Sequence, residues 1–506
     1  RLRRARLLAG EDPNSSGQLD THPLVREYFG EQLRSQRTDA WKECNRRLYH
    51  FYRELAPQFP DTLREMEPLF LSVICGCNAG LFREALHEVY IPRIQRGRDP
   101  NRDAFFAANV LGARSTLLSV LAHFFEQGRW GSPVKTGVEG QSLTAEDELF
   151  ILTQAALYLT VTRGFASPEA RLVHQRVESF CQVLNRPLVL HSSLMGQWRY
   201  SLITDKLTVA MQAAIRINSL AEEQNDSALL LGACRALACT QYFRGDFDAS
   251  RQSTLRGLHI WHSGNVKSHG SEVDPPVVAC LTDKAQSEWH LGEIDSCQVT
   301  MAEAIAVARK LNVMHGVAEA LYFAACLSHY LRNPGEVERL ASDVIELSIR
   351  QNFLLYLIRG TILRGWARSV LGETVQGISW IEVGIQDWRS TGAIFCLPFF
   401  LALKAEALYL ADRISEALDT INEAEALAEK TEERWWSAEL HRFRGVFLAM
   451  LGGDQTLIEA SFSQAINTAK QQGSASLAKR AETTYAEYRR QKTSALAGRG
   501  FRLPLC

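Results

Sequence analysis

Trp289-His290-Leu291-Gly292-Glu293-Ile294-Asp295-Ser296 decides the fold of this chain: an aromatic-ended helix, a glycine turn, and a polar, acidic start to a second helix. Glycine at such a turn supplies a left-handed C-cap, and acidic residues complement the positive end of the next helix. The same grammar is written in Gln241-Tyr242-Phe243-Arg244-Gly245-Asp246-Phe247-Asp248 and in Tyr409-Leu410-Ala411-Asp412-Arg413-Ile414-Ser415-Glu416-Ala417. Working outward, turn landmarks fall at Gly80, Gly128, Gly164, Thr204, Gly245, Gly292, Asn333, Gly372, Asp412 and Gly452. They recur about every 40 residues, the signature of a helical repeat array. The chain is therefore expected to be all-α, with about ten antiparallel helix pairs stacked into a solenoid and almost no strand.

Small residues reinforce the register. Ala238, Ala285, Gly365, Ala405 and Gly445 stand at one distance before their turns, and Gly257, Ala304, Gly384 and Ala424 at one distance after them. A missing side chain at both places lets the two helices of a pair approach closely. These landmarks resemble the tetratricopeptide repeat, with a longer period than its usual 34 or so. The resemblance is strongest over 228–490, and it implies a right-handed superhelix whose concave face is lined by the first helix of each pair.

At 506 residues the chain exceeds one ordinary domain, but a solenoid grows by stacking. Hydrophobic residues make up 46%, ample for a core. A net charge of −1 argues against general nucleic-acid binding, which needs a basic face; Arg1, Arg3, Arg4 and Arg6 form only a basic tip. The 11 cysteines are scattered without metal-site spacing, and many lie among apolar helix residues as small hydrophobes do. That usage predicts a reducing, cytoplasmic setting. The most apolar stretch, 392–411, carries Pro398, Lys404 and Glu406 and reads as a core hairpin rather than a membrane span. A chain beginning with Arg and without a signal peptide is expected to continue upstream.

Residues 1–60 are expected to form a winged-helix remnant, 61–492 the solenoid with a polar cap helix from about Ser476 to Lys492, and 493–506 a tail. Polar stretches at 128–146 and 263–276 read as surface loops. The segment His22-Pro23-Leu24-Val25-Arg26-Glu27-Tyr28-Phe29 resembles the end of the winged helix in STAND-type signalling NTPases, although Thr21 and Pro23 flank His22 where that family has Met and Asp. The resemblance implies that His22 contacts an ADP phosphate. It also implies ADP or ATP with magnesium in the intact protein, self-association through an upstream NTPase once the ADP-held resting state is released, and activation of an effector. Antiphage defence is one setting it suggests. A tetratricopeptide scaffold attached to an adenylyl cyclase or a DNA-binding regulator is the alternative.

No phosphate-binding loop, nucleophile elbow or His-Glu-x-x-His motif occurs, so this segment is not expected to be an enzyme. The repeat spacing places Arg235, Tyr242, Gln286, Trp289, His290, Arg359, Trp366, Glu406, Tyr409, Glu439 and Arg442 on the concave face, where a protein or peptide activator would bind. Arg and aromatic side chains dominate binding hot spots, although aromatics at helical spacing more often serve as inter-repeat core. Trp435 and Trp436 are expected to pack beneath the next hairpin.

Overall fold

The computed structural model describes residues 23–97, 105–264, 266 and 275–495. Among them are 23 α-helices, and the only extended pairing is an isolated bridge between Phe125 and Val134. By contact the chain divides into two compact units, Arg1–Tyr158 and Leu159–Cys506. No helix among the described residues is long and apolar enough to cross a membrane.

The first unit contains α1 (Pro23–Gln36), α2 (Thr38–Leu55), α3 (Leu63–Ala79), α4 (Phe82–Glu84), α5 (Phe106–Asn109), α6 (Arg114–Ala122) and most of α7 (Ala145–Arg163). Of the segment expected to resemble a winged helix, His22 and all that precedes it lie outside the described residues. From Pro23 onward it is helical. Gly80 ends α3 in the left-handed region at φ +84°, as its landmark status requires. No second regular helix comes after it: α4 runs into a wide π-helical segment, Ala85–Ile94. Pro92 has no N–H to donate, and the N–H of Gln95 reaches the carbonyl of Tyr90, five residues back.

Gly128 corrects the repeat count. It sits in a short 3₁₀ turn rather than between two helices, because α6 ends after nine residues and the chain plugs Phe124, Phe125 and Trp130 inward. The loop beyond it is not wholly on the surface either. Val138 N–H donates to the carbonyl of Gly80, and Gln141 exchanges hydrogen bonds with Glu84. On α2, exposed Cys44, Leu48, Phe51 and Leu55 recur at alternating steps of four and three, an apolar stripe of the kind that mediates protein contacts.

The second unit is the repeat array. It holds α8 (Pro168–Leu184) and then the pairs α9/α10 (Pro187–Thr204, Leu207–Gln224), α11/α12 (Ser227–Phe243, Phe247–His262) and α13/α14 (Pro276–Leu291, Ile294–Leu311). Next come α15/α16 (Met314–Tyr330, Pro334–Gln351), α17/α18 (Leu354–Val370, Thr374–Ser390) and α19/α20 (Leu397–Leu410, Ile414–Thr431). The last pair is α21/α22 (Ser437–Met450, Gln455–Gln471), followed by α23 (Ala475–Ala495). Seven complete pairs lie wholly within this unit, against the ten or so expected along the whole array. The 263–276 loop lies mostly outside the described residues, and the tail starts within α23 and leaves them at residue 496.

Each turn works as its residues demand. Gly245 and Gly292 have φ of +83° and +88°, and the next N–H in each case bonds back to the carbonyl of Gln241 or Glu288. At Asn333 the landmark is one residue late. Arg332 takes the left-handed conformation at φ +57°, and Asn333 caps α16 by accepting the N–H of Glu336.

The small positions do press on one another. A Cβ added at Gly365 would lie 2.7 Å from the carbonyl oxygen of Gly377 in the partner helix and 2.8 Å from Ile381. Gly365→Leu is therefore expected to destabilise by roughly 1–3 kcal/mol or more through overpacking. Urea unfolding checks it, and stability equal to the parent's would show that α17 and α18 are not in this contact.

The array also closes on itself. The carbonyl of Ile203 accepts the N–H groups of Ile394 and Phe395 at 3.0 and 3.2 Å, and that of Phe243 accepts those of Arg434 and Trp435 at 2.9 and 3.2 Å. The carbonyls of Trp289 and Tyr330 accept instead from side chains, the Ser476 hydroxyl and Arg480 Nη2. The carbonyls left over at the ends of α9 and α11 are thus capped by the segments that lead into α19 and α21, five pairs further on. One turn of this superhelix takes about five repeats, and the following turn seats directly on it.

Candidate functional site

Because successive turns seat on one another, the first helices enclose a filled interior rather than an open groove. That corrects the setting expected for the concave-face residues. Gln286, His290 and Arg442 have no exposed surface; Arg235, Tyr242, Trp289, Trp366, Glu406 and Glu439 are buried; Arg359 and Tyr409 are half-buried. Trp435 and Trp436 are both buried, as their expected packing role requires.

Four of these residues, Trp366, Glu406, Glu439 and Arg442, meet in one buried network around two carboxylates. Glu439 accepts from Arg442 Nε and Nη2 at 2.9 and 2.8 Å, from Arg480 Nη1 at 2.9 Å and from Arg332 Nη2 at 3.3 Å. Glu406 accepts from Arg332 Nη1 at 2.5 Å and from the Trp366 indole at 2.9 Å. Burial by itself raises both carboxyls. The guanidinium groups, Arg332 foremost at Glu406 and Arg442 at Glu439, more than reverse this, holding Glu406 down at about 2 and Glu439 lower still. His329, 3.8 Å from Glu406, is pushed down to about 4 by burial and stays neutral.

An aromatic cluster continues from this network. His290 stacks on Phe247 with ring centroids 3.7 Å apart, and its Nδ1 lies 3.0 Å from Ser474 Oγ. Burial holds it neutral. Trp289 packs on Tyr330 at 4.8 Å, and Arg480 lies over the Trp289 ring at 5.3 Å. Gln286 donates to the carbonyl of Phe323. A second ionic group joins Arg235 to Glu319 at 3.5 Å, with Asp283 driven upward by burial and by Glu319. Tyr409 stands apart, stacked on Phe447.

Sequence reading misses Arg332, His329, Glu319, Asp283, Glu433 and Arg480. Arg480 is hidden in a cap helix whose composition reads as polar outside, yet α23 turns Leu477, Ala481, Thr484 and Tyr488 inward. Glu433 accepts the N–H of Cys396 across the interior, and burial raises its carboxyl to about 8. No periodic signal marks any of these, since each acts between different repeats.

No family model matches the chain. It is 23% identical over 355 residues to an uncharacterized protein of Rhizobium meliloti (strain 1021), a match covering 69% of this chain and 34% of the relative. The chain thus spans about a third of the length of that curated relative. Among solved structures, it is similar to a Rap protein complexed with Competence and Sporulation Factor, at 14% identity, 71% of this chain, 93% of that chain and a TM-score of 0.50. A STAND protein with a tetratricopeptide repeat sensor from Pyrococcus horikoshii matches at 13% identity over 90% of this chain and 72% of its own, with a TM-score of 0.34. Yeast Tom70 matches at 11% identity, with 93% and 99% coverage and a TM-score of 0.35. Seven seated helix pairs and the likeness to the Rap protein agree on one conclusion: the chain is a helical-repeat protein of tetratricopeptide-like architecture.

Proposed function

We propose that this chain is the sensor portion of a STAND-type signalling NTPase, with a protein or peptide activator as its ligand. The observation that carries the reading is the closure of one superhelical turn on the next by backbone caps and a buried ion network. Such a closure has two arrangements, seated and unseated, and a ligand that binds only the unseated one shifts the balance. The interior residues Arg235, Gln286, Trp289, Arg359, Glu439 and Arg442 then form the seam that an activator competes for. The Rap protein in complex with its factor supports a ligand-binding use of the architecture. ADP or ATP with magnesium, self-association, a cytoplasmic setting and antiphage output belong to the proposal through the family likeness, as does the ADP contact of His22.

The test compares two lengths of chain. This chain by itself is expected to show no ADP binding by calorimetry. A chain extended by its natural preceding sequence is expected to bind ADP through a phosphate-binding loop, with His22→Ala weakening that binding. An extended chain that lacks such a loop and binds no ADP overturns the STAND assignment.

A further inference from the structure

The seam between superhelical turns continues into an edge that nothing among the described residues covers. From α11 onward the first helix of each pair turns into the second through one left-handed residue, and the carbonyl two places before it is sealed at Phe243 and Tyr330. At the next three pairs the same carbonyls belong to Val370, Leu410 and Met450, before Gly372, Asp412 and Gly452, and they accept no hydrogen bond from any described residue. The side chains are bare as well. Ile203, Phe243, Trp289 and Tyr330 on the sealed edge are buried, whereas Leu371, Val375, Leu410, Leu451 and Leu457 along its continuation are 44% to 86% exposed.

The open edge also carries uncompensated negative charge. Arg368 pairs with Glu373, Arg413 with Glu416 and Lys492 with Glu459, which leaves Asp412 and Asp454 without a cation. Neither α19 nor α21 has a basic residue in its last turn, so the negative ends of their dipoles are uncomplemented too. An apolar row flanked by acidic groups and idle carbonyls suits a segment that is both apolar and basic. The sealed part of the seam has the same preference: Phe395 and Trp435 pack on Phe243 with ring centroids 4.4 and 5.4 Å away, and Arg480 reaches the Tyr330 carbonyl.

This chain carries such a segment at that place. α23 ends at Ala495 beside the edge, because Lys492 lies 3.6 Å from Glu459 near the start of α22. Leu496-Ala497-Gly498-Arg499-Gly500-Phe501-Arg502-Leu503-Pro504-Leu505-Cys506 comes next, with two arginines, three leucines, a phenylalanine and no acidic residue. Fully extended it spans up to roughly 36–40 Å, and the row of three neighbouring first helices only about 20 Å, so it reaches the whole edge.

We propose that residues 496–506 lie along this edge as a strap, with Phe501 and the leucines over Leu410 and Leu451 and the arginines at Asp412, Asp454 and the idle carbonyls. The strap occupies the place that a further superhelical turn would take and shields the edge from another chain. The assignment does not depend on the STAND reading, since no nucleotide enters it.

Hydrogen exchange of the full 506-residue chain tests the strap, with sedimentation velocity on the same samples. In a monomer, the amides from Arg499 to Leu503 are expected to exchange about tenfold or more slower than in a free peptide of the same sequence. Leu410→Lys combined with Leu451→Lys, both at exposed positions, should bring those amides to the peptide's rate while α19 and α21 stay protected. Phe501→Ala should do the same without altering the array, so it decides even where the double variant fails to fold. Peptide-like rates in the parent overturn the strap, as does protection that persists in Phe501→Ala. Protection found only in a dimer that the double lysine variant dissolves assigns the edge to a second copy, and that also overturns it.

Discussion

Glu439→Ala is expected to destabilise the chain by about 3–5 kcal/mol, because it removes one partner from a buried ionic network and strands the others. Arg442 has no exposed surface, and Arg480 and Arg332 both aim at the same carboxylate. The double variant Glu439→Met, Arg442→Met should recover much of the loss, since a buried pair replaced by apolar side chains of similar volume is often tolerated. Urea denaturation of the four members of the cycle measures this. A single variant within about 1 kcal/mol of the parent would show that the network is hydrated and contributes little.

The same carboxylates set an acid limb. Glu406 and Glu439 have folded-state values below the ordinary 4.5, so their contribution is present above about pH 4.5 and is lost as pH falls toward 2. Glu433 has the opposite sign. With a folded value of about 8, its contribution is complete below its ordinary 4.5 and is lost as pH rises through 8. Stability against pH should therefore decline on both sides, and Glu433→Gln should flatten the alkaline decline while leaving the acid limb intact.

Trp436→Ala is the second large effect, expected to cost about 3–5 kcal/mol as a buried aromatic truncation. The ring spans the interior, 5.0 Å from Tyr330 on α15, 5.4 Å from Phe399 on α19 and 6.3 Å from Trp289 on α13. Its indole N–H is buried without an acceptor, and deleting that donor pulls the cost toward the lower end of the range. The variant should also lose hydrogen-exchange protection at Arg434 and Trp435, whose N–H groups seal one turn to the next through Phe243. Unchanged protection at those two amides would separate Trp436 from the closure.

The repeat is legible because everything that makes it is local. Gly245 and Gly292 adopt the left-handed turns their sequence context demands, and Gly365 and Gly445 meet the partner helix as their register requires. A further local signal lies in Asn185, Asn225, Asn312 and Asn352, which end their helices with φ between +49° and +57°, marking the boundaries between pairs as glycine marks the turns within them. The irregular stretch around Gly128 escapes the pattern because a glycine shows that the backbone can take a positive φ, not that a helix comes next.

The closed interior is not legible at any position. Arg442, Glu439 and Trp289 have the same residue types at the same helical register whether the groove is open or sealed. Sealing depends on the small rotation between neighbouring pairs, accumulated over five of them until the carbonyl of Phe243 arrives beside the N–H groups of Arg434 and Trp435. Sequence by itself determined the helices, their turns and their pairwise contact, since those are set within one repeat by capping and by side-chain size. Only the tertiary structure decided that the concave face is a core, because superhelical pitch is a sum over many packing angles and no single residue encodes it.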